Sequence, residues 1–402
     1  MRIDKILAVS IVLTALPLQV FAQEAGAATA LRSNDAALAA WAKAHPDRPE
    51  IRLRPISAYR EHQVDPHGIR LFGKGHYALV PDRNGDAVLC FDVADPHNMR
   101  FLSRVADTRT RSAHYVTIGA DEQYAYTGAA GCFTIIDISN PGKIAIAGAV
   151  RAGKRFSQEI VLDEARNIAY WAATGDHTIF AIDVSDKAAP RVLGSAGGAG
   201  PPHFLESVAH LELHGDKPVL LATSYRDHHL ISFEVSEPGV FRLLDAAGGH
   251  LVSPHELVYD RGYCHIAVMY DNDAEHPRED GALVVYDVSE PASLRYVTEL
   301  RMGDEYPANR YPFDMLHGLR LDRERKLLFG ASHKNNGTEC TTRNSALSVF
   351  DVRDPARPVW LQSYQSCAWL EGAQQADFCN GLLFTANHDV PSIAAFRLYA
   401  AE

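Results

Sequence analysis

Nineteen of the 402 residues are histidine, about one in twenty, and several head segments that resemble one another. His67 opens "PHGIRL", His114 "AHYVTI", His255 "PHELVY" and His317 "LHGLRL". Gln158 in "SQEIVL" and Gln374 in "AQQADF" hold the matching place, and in one further segment either Glu206 or His210 would fill it. Imidazole ligates transition metals, moves protons near neutral pH and hydrogen-bonds anionic or sugar ligands. His67, His114, His255 and His317 could therefore hold one divalent transition metal with open positions. His317, His255 and His333 could serve acid–base catalysis. Alternatively His67, His114, Gln158, Gln374, His388 and Arg310 could bind a ligand directly, or the rings could only satisfy backbone and water.

A second set of polar residues recurs later in the same segments: Asp82, His177, His228, Asp271, His333 and His388. Connections nearby add Arg109, Arg111, Arg155, His203, Arg310 and Tyr311. Other chemistry is poorly represented. There is no phosphate loop, no GxSxG elbow and no HExxH, since "PHELVY" lacks the second histidine. "DNDAEHPREDG" at 271–281 has acids enough for calcium but not the loop spacing, and reads as solvated. Of six cysteines, Cys340 and Cys367 fall in loops expected on one face and are candidates for a disulfide, while Cys90 and Cys132 lie in or beside apolar runs that read as core. No CxxC pair supports a zinc ribbon.

What must position these residues is a repeat. "VLCFDVADP" begins at Val88, "FTIIDISNP" at Phe133, "IFAIDVSDK" at Ile179, "LISFEVSEP" at Leu230, "LVVYDVSEP" at Leu283, "LSVFDVRDP" at Leu347 and a worn "IAAFRLY" at Ile393. The anchor is Asp92, Asp137, Asp183, Glu234, Asp287, Asp351 and Arg397, at gaps of 45, 46, 51, 53, 64 and 46 residues. Each run is β-branched and aromatic on nearly every position, as a strand buried on both faces requires. The acid can accept turn N–H groups, and proline ends pairing. With a pair of strands before each phrase and one after it, every unit holds four antiparallel strands. Seven such units predict an all-β, seven-bladed β-propeller, in which the heads of the innermost strands converge on a central channel. The worn last copy leaves a place for an outer strand from the N-terminus, and "IRLRPISAYR" at 51–60 is suited to close the ring.

The repeated phrase resembles that of the LVIVD-repeat proteins, over roughly residues 51–402. The resemblance implies an exported propeller and leaves the activity unassigned. Export also follows from the first 22 residues: Arg2 and Lys5 precede an apolar run that ends in "VFA", the pattern of a cleavable leader for a periplasmic or secreted protein. Residues 23–50 then form a lead-in, where "SNDAALAAWAKAHPD" predicts a short helix stopped by Pro46. The net charge of −11 with no basic stripe argues against nucleic acid, and no later segment could span a bilayer. The expected function is binding of a small molecule, glycan or envelope protein at a histidine-rich channel mouth. The alternative is a metal-dependent lyase, hydrolase or oxidase using the axial histidines.

Overall fold

The computed structural model describes residues 31–46, 51–198, 204–215, 217–269, 281–301, 315–333 and 345–398. Seven antiparallel sheets follow one another along the chain and form a seven-bladed propeller, as the repeat predicts. The innermost strands of blades 1 to 7 are Arg70–Phe72, Val116–Ile118, Ile160–Asp163, Val208–Leu213, Pro254–Asp260, Leu316–Asp322 and Ala373–Cys379. The repeated phrase supplies the third strand of each blade, from Ala87–Asp92 in blade 1 to Ser392–Arg397 in blade 7. These strands are buried at almost every position because neighbouring blades cover both faces, which explains the continuous apolar run.

The acid that ends each phrase has two tasks. Its carboxylate accepts the backbone N–H two residues on: Ala94 for Asp92, Ser139 for Asp137, Ser185 for Asp183, Ser289 for Asp287 and Arg353 for Asp351. In blades 1, 3 and 5 the same carboxylate also takes an arginine eight residues later, Arg100, Arg191 or Arg295, at the head of the outer strand. Glu234 in blade 4 keeps the arginine, pairing with Arg242 at 3.2 Å, and accepts from the Ser236 hydroxyl in place of a backbone N–H. The motif is thus a clamp that fixes the turn and aims the next strand.

Arg54–Tyr59 pairs with Ser392–Arg397, Arg54 opposite Arg397 and Tyr59 opposite Ile393, so an N-terminal strand completes blade 7 and closes the ring. The lead-in goes further than expected. Leu31–Ser33 adds a fifth strand to blade 6, beside Val359–Gln365. The helix Asp35–Ala44 follows, with the Asn34 side chain accepting from Ala37 N. Its Trp41 is buried against Phe329, Leu361 and Tyr364, so this helix is packed on the ring. Among the described residues no helix is long and apolar enough to cross a membrane.

Candidate functional site

The inner strands carry irregular pairing where they enter the channel. In blade 5, Pro254 pairs with Val268 and Leu257 with Ile266, so His255 and Glu256 together stand opposite one residue. Similar register shifts occur in blades 4, 6 and 7. Such bulges let two successive side chains reach the axis instead of alternating. The first tier is the one read from sequence: His67, His114, Gln158, His255, His317 and Gln374. By register Ala209 takes the blade 4 place; Glu206 is exposed on the connection, and His210 sits one step deeper. That deeper tier is Gly68, Tyr115, Glu159, His210, Glu256, Gly318 and Gln375. A Cβ on Gly318 would stand 2.2 Å from the Gln374 carbonyl oxygen, so only glycine allows blade 7 to come this close.

Seven imidazoles and Tyr115 close a belt around the axis. Successive ring centroids are 4.7 Å apart for His67–His114, 6.4 Å for His114–Tyr115, 5.1 Å for Tyr115–His210 and 4.5 Å for His210–His255. The circuit continues at 3.6 Å for His255–His317, 5.2 Å for His317–His333, 4.8 Å for His333–His388 and 5.0 Å for His388–His67. Four rings are held at Nδ1 by an oxygen: His67 by Gln374 Oε1 (2.8 Å), His114 by Ser112 O (3.1 Å), His317 by Gln374 O (3.2 Å) and His210 by Glu159. An oxygen at Nδ1 selects the Nδ1–H tautomer and leaves the Nε2 lone pair for other partners. His333 and His388 approach each other through their Nε2 atoms at 2.5 Å.

Burial, reinforced by neighbouring imidazoles, holds His114, His255 and His317 well below the ordinary histidine range. The same causes, burial first and then His67, bring His388 to about 4. These rings are neutral at pH 7, the form that binds metals. Asp65, two residues before His67, completes the mouth. Its Oδ1 lies 3.0 Å from His67 Nε2 and 3.7 Å from His388 Nδ1. Two ligands each about 2.1 Å from one ion, at 90–120°, are roughly 3.0–3.6 Å apart. Asp65, His67 and His388 therefore fit around a single divalent cation. Of the four histidines read as one metal set, His67 alone falls in this group. His255, His317 and His333, the residues expected to do acid–base work, are consecutive in the belt.

The second polar set from the sequence divides. His333 and His388 turn to the axis. His177 and His228 do not: their Nδ1 atoms accept the backbone N–H of Ser207 and Ser253, latching each blade to the connection that follows. Asp82 likewise accepts from Val64 and Asp65. Arg109 pairs with Asp107 on the surface, and Arg155 reaches the Gly175 carbonyl. Asp271, His203, Arg310, Tyr311, Cys340 and the 271–281 loop lie outside the described residues, apart from Gly281. Cys367 is disulfide-bonded, whereas Cys90 and Cys132 are buried free thiols.

Below the belt the channel changes character. Arg70, Glu159, Glu212, Glu256, Arg320 and Arg323 line a cavity of about 460 Å³ at the far ends of the inner strands. Arg70 lies 3.5 Å from Glu159 and 3.9 Å from Glu256, and it donates to Gln375 Oε1 at 3.0 Å. Arg320 pairs with Asp377 at 2.7 Å. Burial works against the Arg70 charge, but Glu159, Glu256 and Asp377 hold its pKa above the usual value. Burial pushes Glu212 up to about 7. For Glu159 burial opposes ionisation, but His210 and Arg70 outweigh it and lower the pKa.

Fold and channel together define a seven-bladed propeller with a polar hub, buried histidines above and ion pairs below. The particular kind of repeat is shown by a model of the LVIVD repeat, which matches residues 115–151, and the resemblance read from the strand phrase is borne out there. No curated protein matches the chain. Among solved structures, the WD40 repeats of RRP9 are similar at 11% identity and a TM-score of 0.64, covering 87% of this chain and 100% of that one. U3-55K matches at 11% identity and a TM-score of 0.63, with 86% and 98% covered. Hydrazine synthase from Kuenenia stuttgartiensis matches at 14% identity and 0.63, with 84% and 97% covered. Likeness at this level of identity speaks for the fold alone.

Proposed function

We propose that this protein is an exported LVIVD-repeat propeller that binds a divalent transition metal at its channel mouth through Asp65, His67 and His388. The ion would offer its remaining positions to a small oxygen-bearing ligand. One observation carries the reading: a carboxylate and two buried imidazoles converge at 3.0 and 3.7 Å, with His67 held at Nδ1 by Gln374 as a metal-binding ring should be. A small molecule suits the site better than a glycan or an envelope protein, because the belt rings are almost wholly buried and a polymer could reach them only with an end or a side chain. Export is supported by the leader-like pattern of residues 1–22.

The test is metal content by elemental mass spectrometry on full-length protein purified without chelator or histidine tag. About one equivalent is expected in the parent, with loss in both His67→Ala and His388→Ala and retention in His177→Ala, whose ring is a latch. Metal-free parent protein that also fails to take up added zinc, cobalt or copper would overturn the reading.

A further inference from the structure

The upper and lower halves of the hub meet at one buried pair. His210 belongs to the belt, with its ring 4.5 Å from His255 and 5.1 Å from Tyr115. Its Nδ1 bonds Glu159 Oε2, and Glu159 lines the lower cavity. The ring is fully buried, and Nε2 finds no partner among the described residues. A carboxylate holding one imidazole nitrogen while the other stays free is the arrangement that lets a histidine take a proton on one side and release one on the other.

Glu159, His210 and Glu256 also converge closely enough to suggest a second cation. Arg70 argues against that, since its guanidinium already lies 3.5 Å from Glu159 and 3.9 Å from Glu256 and supplies the positive charge there. It leaves the Glu159 carboxylate ionised and hydrogen-bonded to the ring, which suits proton transfer better than metal ligation.

We infer that Glu159 and His210 carry protons through the hub, between the histidine belt and the lower cavity. A proton from the belt adds to His210 Nε2 and makes the imidazolium. The Nδ1 proton passes to Glu159 Oε2, leaving a neutral ring. The carboxylic acid gives that proton to water in the cavity and returns to the carboxylate. The ring is now the other tautomer and carries the next proton back toward the belt. The groups facing the pair are Arg70, Glu256 and Tyr115, with Arg320 beyond them; Arg70 compensates the carboxylates throughout. The link concerns the opposite side of the belt from Asp65 and does not depend on a metal at the mouth.

Hydrogen exchange on metal-free, full-length protein labelled with ¹⁵N-histidine tests it. A merely structural hydrogen bond exchanges its Nδ1 proton only when the hub opens, as slowly as the buried backbone amide of Leu211. The relay predicts that His210 Nδ1–H exchanges roughly a hundredfold or more faster than that amide. Glu159→Gln, which keeps shape and a hydrogen bond but cannot accept the proton, should remove most of this difference and leave the His114 Nδ1–H rate unchanged. Equal rates for His210 and Leu211 in the parent would overturn the inference without any variant having to fold. So would a Glu159→Gln protein that keeps fast exchange at His210, or one that slows His114 equally. Metal content does not enter these readouts, so the relay and the metal site can fail separately.

Discussion

The two ends of the hub are built by the same strands a few residues apart, and they solve the problem of burial in opposite ways. At the mouth, imidazoles crowd one another and stay uncharged, because each neighbour and the loss of water disfavour the imidazolium. Below, Arg70 and Glu159 keep their charges through each other despite burial and Arg320 pairs with Asp377, while burial still raises the pKa of Glu256 and Glu212. The difference teaches that tier position alone does not set the chemistry of a propeller channel. What decides it is whether a counter-charge comes from another blade.

The comparison breaks most easily at Arg70. Arg70→Met should leave two buried carboxylates without their cation and cost about 3–5 kcal/mol in urea unfolding. A loss near zero would mean that water screens the lower channel and that its charges need no pairing. Glu212→Gln gives a smaller effect, visible only through pH. The folded pKa of Glu212 is near 7, above its ordinary 4.5, so its contribution to stability is present below about pH 4.5 and is lost as pH rises through 7. The variant should match the parent near pH 4 and exceed it by about 1–2 kcal/mol near pH 8, the full linkage being reduced because the side chain is partly exposed.

The smallest expected effect has the opposite sign of pH dependence and sits at the mouth. Burial first, then His210, His333 and His114, lower the His255 pKa well below 6.5. A depressed folded pKa means stability that is present above about pH 6.5 and is lost on acidification. His255→Gln should therefore match the parent near pH 8 and gain on the order of 1 kcal/mol near pH 5. If both variants responded to pH in the same direction, the contrast between the two ends would collapse.

Most of the architecture was legible in the strand phrase, because an apolar run closed by an acid and a turn has one use in a sheet covered on both faces. Seven copies and the gap in the last one also called for a closing strand within 51–60, and Arg54–Tyr59 is that strand. The first tier of the channel was legible for the same reason, since equivalent residues recur at the head of each unit. The second tier was not. Glu159, Glu256 and Gln375 follow tier residues directly, and regular alternation would turn them away from the axis; the bulges that bring them back leave no mark in composition, and His210 reads from sequence one tier too high, as an alternative to Glu206. His177 and His228 could not be told from His333 and His388, because latching to a backbone N–H and turning to the axis differ in side-chain direction rather than residue type. Asp65 had a signal, its place two residues before His67, but it lies outside the repeated segment. The fifth strand of blade 6 is three residues long, too short for any periodicity.

The closing strand has a consequence for how the molecule comes into being. Arg54–Tyr59 is made more than three hundred residues before its partner Ser392–Arg397. Until then blade 7 lacks its outermost strand, and the interface that packs Phe384 and Ile393 against Val80 and Phe91 cannot form. Closing the ring therefore fastens a buckle across more than three hundred residues of chain, a step of high sequence separation and correspondingly slow closure. A deletion that removes only Ser392–Arg397 would leave two sheet edges open, and open edges are where such chains join one another instead of themselves.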